Sequence, residues 1–253
     1  MNTHFTLEID NGIAELIMDH PPVNAFDGRQ WQAIASAIDA LGANEEVRVI
    51  IIAARGKGFC AGVDIKELAA DKSRIKAVNQ GNYDTFRAIH LNPKPVIAVL
   101  HGFVLGGGIG ISGAADLIIA SDCTYFGVPE IDRGAMGGGA HLQRMFPVQK
   151  VRYMYFTGET IDAAEAYRLG AIERVVPRER RMDVAREIAA AIAAKSPSMV
   201  ALAKRSLTGI EDGDLEAKYA SEQLHTLEAY ALQDSDEARA AFIEKRDPEF
   251  GSD

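Results

Sequence analysis

The order of apolar and polar residues predicts strands and helices that alternate through the first two thirds of the chain. Alternating runs on either side of Asp10-Asn11-Gly12 predict a β-hairpin over residues 4–21, because Asn-Gly is a strong signal for a tight turn. Three later runs are apolar without alternation, as buried parallel strands are: VIIIA, VIAVL and LIIAS. A short strand within TYFGVPE follows the last of them.

Segments with helical spacing separate these strands. Apolar residues three and four apart predict a helix over residues 28–44 that stops near Gly42, and a short helix from about Gly107 to Ala114. The more polar stretch over residues 64–90 is predicted to be helical and mobile. The repeating order is strand, strand, helix, which indicates an α/β fold.

The last third of the chain has a different pattern. From about Ala163 it is mostly helical, and a long helical run extends from Asp214 to about Glu244. Ser196-Pro197-Ser198 has the composition of a helix start, so we divide the chain into a core over residues 1–195 and a helical region over residues 196–253. The apolar residues of this second region do not suffice for a core of their own, so we expect it to pack on the body or on another subunit.

Composition is that of an ordinary globular protein and limits the partners. The chain has 253 residues, is 47% hydrophobic and carries a net charge of −9, which argues against nucleic acid or an anionic membrane as the main partner. Its first residues lack the basic and apolar segments of a signal peptide, and no run approaches the ~20 apolar residues of a membrane span. We therefore expect a cytoplasmic protein in which Cys60 and Cys123 stay reduced.

Two glycine-bearing loops are the first sign of chemistry. GKGFCAGVDIKEL (residues 56–68) and LGGGIGISG (residues 105–113) each end a strand and open a helix. Backbone N–H groups at such helix starts lack intrahelical partners and carry partial positive charge. Two of them aimed at one point would form an oxyanion hole for a carbonyl oxygen, and glycine would let that carbonyl come close.

A dinucleotide site is the alternative interpretation of the second loop. Residues 108–113 match G-x-G-x-x-G, and Asp122 could act as the acid that such sites place after the second strand. However, residues 101–105 separate the strand from the glycines, whereas the fingerprint requires the glycines at the junction itself. A nicotinamide-dependent oxidoreductase is therefore the remote alternative, and saturable NAD(P)H binding would identify it.

Four segments together resemble the crotonase superfamily of enoyl-CoA hydratases and isomerases. They are HPPVNAF, GKGFCAGVDIKEL, KPVIAVLHGFVLGGGIG and FGVPEIDRGAMGGGAHLQRMFP, in that order and spacing, and the resemblance covers essentially the whole chain. It implies a spiral of repeated ββα units with a C-terminal helical trimerisation region, assembled as a homotrimer or homohexamer. It also implies an acyl-CoA substrate and no metal or other cofactor, since the thioester itself is the electron sink.

The resemblance assigns roles to particular residues. The backbone N–H groups of Val63 and Gly107 would form the oxyanion hole, and Glu130 would be the catalytic acid and base. The remaining substrate and CoA contacts would come from Ala61, Asp64, Ile65 and Lys66 along the CoA channel, Pro22 and Val23 near the nucleotide, and Gly106 and Gly110 beside the acyl group.

One departure from the hydratase pattern bears on the reaction. Hydratases of this superfamily hold water between two glutamates; Glu130 matches one, but Gly110 stands at the place of the other. A single carboxyl group with a pKa raised by burial suits double-bond isomerisation, whereas hydration should be weak. His141 and Asp132 are candidates for a second acid or base, although a backbone-bonded histidine and a loop ion pair between Asp132 and Arg133 are the simpler interpretations.

A narrower resemblance offers another enolate reaction. AGVDIKE, GGGIG and PE-x-x-RGA resemble a branch of hydrolases that open the last rings of steroid skeletons as cyclic β-diketone CoA thioesters. There an enolate in the oxyanion hole is the leaving group of a C–C cleavage, and Gly110 would make room for a bulky acyl group.

Two further alternatives are not enzymes. A catalytically silent CoA-binding scaffold would tolerate loss of Glu130. An RNA-binding protein has only the basic run RERR at residues 178–181 in its favour.

Overall fold

A computed structural model describes residues 4–211 and 213–250. The main sheet has the strand order β1-β2-β4-β6-β8-β11, in which β1 is antiparallel to β2 and the other neighbours are parallel. Its strands are β1 (Phe5–Asp10), β2 (Ile13–Met18), β4 (Val49–Ala54), β6 (Val96–Leu100), β8 (Leu117–Ser121) and β11 (Arg174–Val176). The predicted hairpin is confirmed, with Phe5 opposite Met18, and so are the three buried apolar strands.

Short strands leave the main sheet and form two smaller sheets. These strands are β3 (Ala25–Phe26), β5 (Gly62–Val63), β7 (Phe103–Leu105), β9 (Tyr125–Gly127) and β10 (Ile161–Asp162), which pair as β3-β5 and β10-β9-β7. A helix follows each of the first four: α1 (Gly28–Ala43), α2 (Ile65–Ala70) with α3 (Ile75–His90), α4 (Gly107–Ala114) and α5 (Gly139–Met145). The predicted ββα repeat is therefore confirmed, and α4 has the predicted bounds.

Helices α1 and α3 pack against each other on one face of the main sheet. Asp27 and Gln30 form a capping box at the start of α1, and the Trp31 side chain is fully buried. The helices predicted within residues 64–90 are confirmed as α2 and α3, and Val78 and Phe86 of α3 are buried. The mobility of this stretch stays a prediction. Lys76, Gln80 and Arg87 lie on its exposed side, whereas the polar residues Asn82, Thr85 and His90 are buried.

The C-terminal helices return to the body of the protein. They are α6 (Val148–Thr157), α7 (Ala163–Arg168), α8 (Arg181–Ala193), α9 (Pro197–Ile210), α10 (Leu215–Ala229) and α11 (Gln233–Glu244). Strand β11 falls in a segment predicted to be mostly helical, and the predicted run to Glu244 is broken between α10 and α11. Helix α10 packs on α3 and α5, while α11 packs on the 3-10 turn Ile131–Arg133, so both helices reach the region of the glycine loops. None of the helices in the described ranges has the length and apolar character to cross a bilayer.

Candidate active site

The two glycine-bearing loops meet where β5 and β7 lead into their helices. Gly62 has a φ of +91°, and a Cβ atom on it would lie 2.9 Å from the Gly107 nitrogen. Gly106, with a φ of +50°, precedes the helix as its N-cap, and Gly107 is the first residue of α4. Within residues 4–211 and 213–250, no acceptor takes the Gly107 N–H. The loops therefore place at least one free backbone donor at their junction.

A narrow cavity that is open to solvent lies beside this junction. Its wall combines apolar side chains with polar and charged ones. It brings together the predicted site residues Ala61, Val63, Gly106, Gly107, Ile65 and Glu130. Sequence reasoning did not anticipate the other wall residues, which include Leu68, Ile75, Asn79, Asn82, Phe86, Met136, Tyr219, Thr226, Tyr230 and Arg239.

Glu130 projects into this cavity from the start of the 3-10 turn that follows β9. Its Oε1 lies so close to Gly106 that a Cβ atom there would overlap it, which explains a glycine at this position. Its Oε2 is buried and has no hydrogen-bond partner among the described residues. Loss of solvation raises the pKa of Glu130 to about 7; the nearby Glu222 acts in the same direction and Arg133 against it. Such a carboxyl group can take up and release a proton near neutrality.

Gly110 does not leave open space in the cavity. A Cβ atom at this position would overlap the ring of Phe86, which fills the volume that a larger residue would need. Gly110 is buried within α4, whereas Phe86 forms part of the cavity wall. The prediction that Gly110 makes room for a bulky acyl group is therefore wrong, because helix α3 supplies an aromatic ring at that place.

His141 lies behind this wall and does not line the cavity. Its imidazole makes edge contacts with the rings of Phe86 and Tyr219, both at 4.8 Å between centroids, and Nδ1 has no hydrogen-bond partner in the described part of the chain. Burial, together with the charges of His90 and Arg144, lowers the pKa of His141 to about 3. The ring is neutral, buried among aromatics and absent from the cavity wall, so a role facing the acyl pocket does not describe it.

Asp132 points away from the cavity. Its carboxylate lies against Gly158, and the residue is exposed. No ion pair joins Asp132 to Arg133 among the residues described, so the loop ion pair expected from the sequence does not form. Arg133 instead lines the cavity and lies over the ring of Phe242, with 4.6 Å from Cζ to the ring centroid.

Two asparagines of α3 add unpaired polar atoms to the cavity. Asn79 Nδ2 and Asn82 Oδ1 are buried without a hydrogen-bond partner in the described chain, and both residues line the wall. Asn82 is only 7% exposed. Buried polar atoms are normally paired, so an unpaired donor and an unpaired acceptor in one cavity indicate a polar ligand or ordered water. Asn79, Asn82 and Phe86 are three and four residues apart, so they share one face of α3. This spacing was the signal in the sequence that could have identified the two asparagines.

Helix α10 secures the loop that forms the floor of the cavity. The Glu222 carboxylate accepts hydrogen bonds from the N–H groups of Gly139 (2.6 Å) and Ala140 (3.0 Å) and from the Tyr155 hydroxyl (3.2 Å). Thr226 Oγ1 donates to the Met136 carbonyl at 3.0 Å. Desolvation raises the pKa of Glu222 although these donors oppose it. No sequence motif identified these contacts, because they join residues 67 to 90 positions apart.

The residues predicted to hold CoA lie partly in the cavity and partly next to it. Ala61 and Ile65 line the wall, and the Ala61 N–H donates to the Val23 carbonyl at 3.1 Å. Asp64 Oδ1 accepts from the Lys66 N–H at 3.0 Å, at the start of α2. The remaining predicted contacts, Pro22 and Lys66, are exposed at the surface.

The glycines of the G-x-G-x-x-G match do not form a phosphate loop. Gly108, Gly110 and Gly113 all lie inside α4, and a Cβ atom on any of them would meet a neighbouring segment. They serve the close packing of a buried helix, which contradicts the nicotinamide alternative. Among the described residues, no three or more His, Cys, Asp or Glu side chains lie together in a way that could hold a metal ion.

Comparisons with known proteins show which family this chain is similar to. The family described as enoyl-CoA hydratase/isomerase matches residues 8–253. A (7aS)-7a-methyl-1,5-dioxo-2,3,5,6,7,7a-hexahydro-1H-indene-carboxyl-CoA hydrolase of Rhodococcus jostii is 41% identical over 240 residues, which cover 94% of this chain and 93% of the relative. The protein of the same name from Mycobacterium tuberculosis is 40% identical over 236 residues, covering 92% and 96%. The crystal structure of a carnitinyl-CoA hydratase from Mycobacterium avium is similar with a TM-score of 0.85 at 29% identity, and covers 99% of each chain.

Proposed function

The chain belongs to the enoyl-CoA hydratase/isomerase family of the crotonase superfamily, and we propose that it hydrolyses a ring C–C bond in the CoA thioester of a cyclic ketone. The observation that carries this proposal is Glu130, a carboxyl group with a pKa of about 7 that stands beside the junction of the two glycine loops. The names of two relatives at 40–41% identity, both hydrolases of a bicyclic diketone CoA thioester, support the choice of substrate.

The thioester oxygen would sit at the junction of the loops. There the backbone N–H groups of Val63 and Gly107 would donate to it and stabilise the negative charge that develops in the transition state. A single donor of this kind is commonly worth about 2.7–4 kcal/mol of barrier lowering. The free Gly107 N–H and the close approach of Gly62 support this assignment.

The reaction would proceed through a thioester enolate. Ionised Glu130 takes a proton from water while the water oxygen bonds to a ring carbonyl carbon. The adjacent ring C–C bond then breaks, and its electron pair passes into the conjugated thioester, which becomes an enolate in the oxyanion hole. Glu130 returns the proton to carbon, so that one water is consumed and one carboxylic acid and one C–H bond are formed. The thioester takes the electrons throughout, and no other cofactor is part of the proposal.

The water needs hydrogen-bonding partners besides Glu130. In the two-glutamate arrangement the second carboxylate provides them, but Phe86 occupies that place here. The unpaired Asn79 Nδ2 and Asn82 Oδ1 in the same cavity offer one donor and one acceptor. We assign the water to this asparagine pair and Glu130.

Mass spectrometry of a defined reaction tests the proposal. A bicyclic 1,5-dioxo-indene carboxyl-CoA thioester, incubated with the protein in ¹⁸O-labelled water, should gain one water and carry the label in a new carboxylate. Fragmentation then distinguishes ring scission from addition to a double bond. Recovery of unchanged thioester, or of a hydrated ring that is still closed, would overturn the hydrolase assignment.

A pair of variants at Gly107 tests the oxyanion hole. Gly107→Pro removes the N–H at the first position of α4, where proline suits the helix. Gly107→Ala keeps the N–H but meets the Trp31 ring in the same way, since a Cβ atom there lies 2.6 Å from Cζ2. We expect the proline variant to be at least about 100-fold slower than the alanine variant. Equal rates in two folded variants would contradict the assignment.

Isomerisation of a 3-enoyl-CoA is the second candidate function. It is favoured by the single carboxylate, because one group can remove a proton from one carbon and return it to another. A 3-enoyl-CoA substrate would then become a conjugated 2-enoyl-CoA without a change in mass. Rapid conversion of it, combined with no turnover of the bicyclic thioester, would make isomerisation the principal activity.

A further inference from the structure

Arg133 brings a positive charge to the acyl cavity without a carboxylate partner. It lies on the turn that begins with Glu130, it lines the cavity, and its charge lowers the pKa of the Glu130 carboxyl group. The ring of Phe242 supports the guanidinium from one side. Across the described chain, no Asp or Glu lies within ion-pair distance of Arg133, and its N–H groups donate to no protein acceptor.

The other arginine of the cavity is fully engaged by the protein. Arg239 is 4% exposed, donates to the Gly134 carbonyl at 3.0 Å and pairs with Asp236. Its guanidinium also lies over the Tyr230 ring at 4.3 Å. Arg239 therefore fastens α11 to the cavity floor, whereas the similar side chain of Arg133 has its donors available.

A cation without a protein acceptor in the cavity wall favours an electron-rich oxygen of a ligand. Arginine carries five N–H donors in a planar arrangement that matches a carboxylate in bidentate fashion and also suits a ketone oxygen. Hydrogen bonds of this kind contribute about twice as much as neutral ones. The thioester oxygen is assigned to the loop amides, so Arg133 remains for another oxygen of the acyl group.

We propose that Arg133 determines specificity by binding a second oxygen function of the acyl group, either a ring ketone or the carboxylate that its hydrolysis produces. The ketone part rests on the proposed function, since it supposes a cyclic keto-acyl substrate. The carboxylate part does not, because an acyl-CoA with a terminal carboxylate should bind at Arg133 whatever reaction the enzyme performs. Acyl groups of linear hydrocarbon leave Arg133 without an acceptor and should bind more weakly.

Binding of paired acyl-CoA ligands tests this proposal by titration calorimetry. Adipoyl-CoA and pimeloyl-CoA carry a terminal carboxylate, and hexanoyl-CoA and heptanoyl-CoA are their neutral counterparts of equal length. We expect Arg133→Met, which keeps a long side chain against Phe242, to weaken the carboxylate ligands about 10- to 100-fold and to leave the neutral ligands within about twofold. Arg133→Lys should retain part of the preference.

Arg87→Met is the matched control. Arg87 is exposed on the outward side of α3, next to the buried Phe86, and the change removes the same charge from the protein without touching the cavity. An equal loss for charged and neutral ligands in Arg133→Met would show a purely structural role and overturn the proposal, as would a wild-type preference below about threefold.

The same ligands separate this proposal from the proposed function. If the carboxylate preference depends on Arg133 while no ring is hydrolysed, the hydrolase assignment fails and the specificity role stands. If the bicyclic thioester is hydrolysed at the same kcat/KM by wild type and Arg133→Met, and neither distinguishes the paired ligands, the specificity role fails and the hydrolase assignment stands.

Discussion

The ring of Phe86 occupies the space beside Gly110, so closely that a Cβ atom on the glycine would overlap it. Phe86 is itself held between Trp31, at 5.8 Å between ring centroids, and His141, at 4.8 Å. The missing glutamate of the hydratase pattern is thus replaced by a packed aromatic cluster. Among the described residues, Glu130 is the only carboxylate that lines the cavity.

This packing predicts the outcome of restoring the second carboxylate. Gly110→Glu alone forces a large side chain into Phe86 and buries a charge, so we expect it to lower the free energy of unfolding by more than about 3 kcal/mol. The double variant Gly110→Glu with Phe86→Ala should be more stable than Gly110→Glu alone and should hydrate crotonyl-CoA faster than wild type. Denaturant unfolding and a hydration assay measure both effects. A stable, hydrating Gly110→Glu single variant would show that Phe86 moves aside freely.

Removing the carboxyl group of Glu130 should abolish most turnover. Glu130→Gln keeps the size of the side chain but not the proton transfer, and we expect kcat to fall by about 10²- to 10⁴-fold with little change in the affinity for acyl-CoA. Steady-state kinetics and calorimetric titration measure the two quantities. Wild-type turnover in this variant would identify the chain as an enzyme that uses another base.

The pH dependence of stability should also report Glu130. Its pKa is near 4.5 in the unfolded chain and about 7 in the folded one, because burial disfavours the charged form. Between these values the folded protein binds the extra proton, so this group makes stability fall as pH rises from about 4.5 to 7 and adds no slope above 7. The change amounts to at most about 3 kcal/mol. Glu130→Gln should flatten it, and denaturant unfolding at several pH values checks the slope.

The activity profile gives an independent view of the same carboxyl group. If ionised Glu130 is the base toward water, kcat/KM rises with pH until about 7 and is level above. Glu222 contributes to the raised pKa of Glu130 through its charge. Glu222→Gln keeps an acceptor for the Gly139 N–H but removes that charge, so the inflection should move to lower pH. An unchanged inflection would show that Glu222 only fastens the loop.

The sequence predicted the elements whose cause is local, and it missed those that depend on distant packing. The Asn11-Gly12 turn and the start of α4 follow from nearby residues, and both appear as predicted. The filling of the Gly110 space could not be predicted, because Phe86 arrives from another helix 24 positions away. Tyr219 and Arg239 reach the cavity from the C-terminal helices, which the pattern predicted to pack on the body or on another subunit without any part in the site. When a side chain reaches a site from a distant element, the pattern of apolar and polar residues around it does not reveal that role.

Helix α9 predicts how copies of the chain assemble. Lys204 is its buried residue, held by Asp116 at 2.8 Å, whereas Leu207 and Ile210 are 61% and 74% exposed. Side chains of this kind contribute about 1.5–3 kcal/mol each when they are buried. We therefore propose that the apolar side of α9 takes part in the contact between subunits of a homotrimer or homohexamer.

Charge placed on α9 should weaken this assembly. Leu207→Asp with Ile210→Asp is expected to shift the protein toward monomers, because each contact would lose two apolar side chains and acquire two carboxylates without partners. Leu7→Asp, at a 40% exposed position of the β1 edge strand, is the matched control and should leave the mass unchanged. Light scattering during gel filtration measures the mass against the 27.3 kDa of one chain. A monomeric wild type would refute assembly itself. A double variant that remains trimeric would place the contact on another surface, because a stable apolar interface cannot accommodate two buried aspartates per subunit.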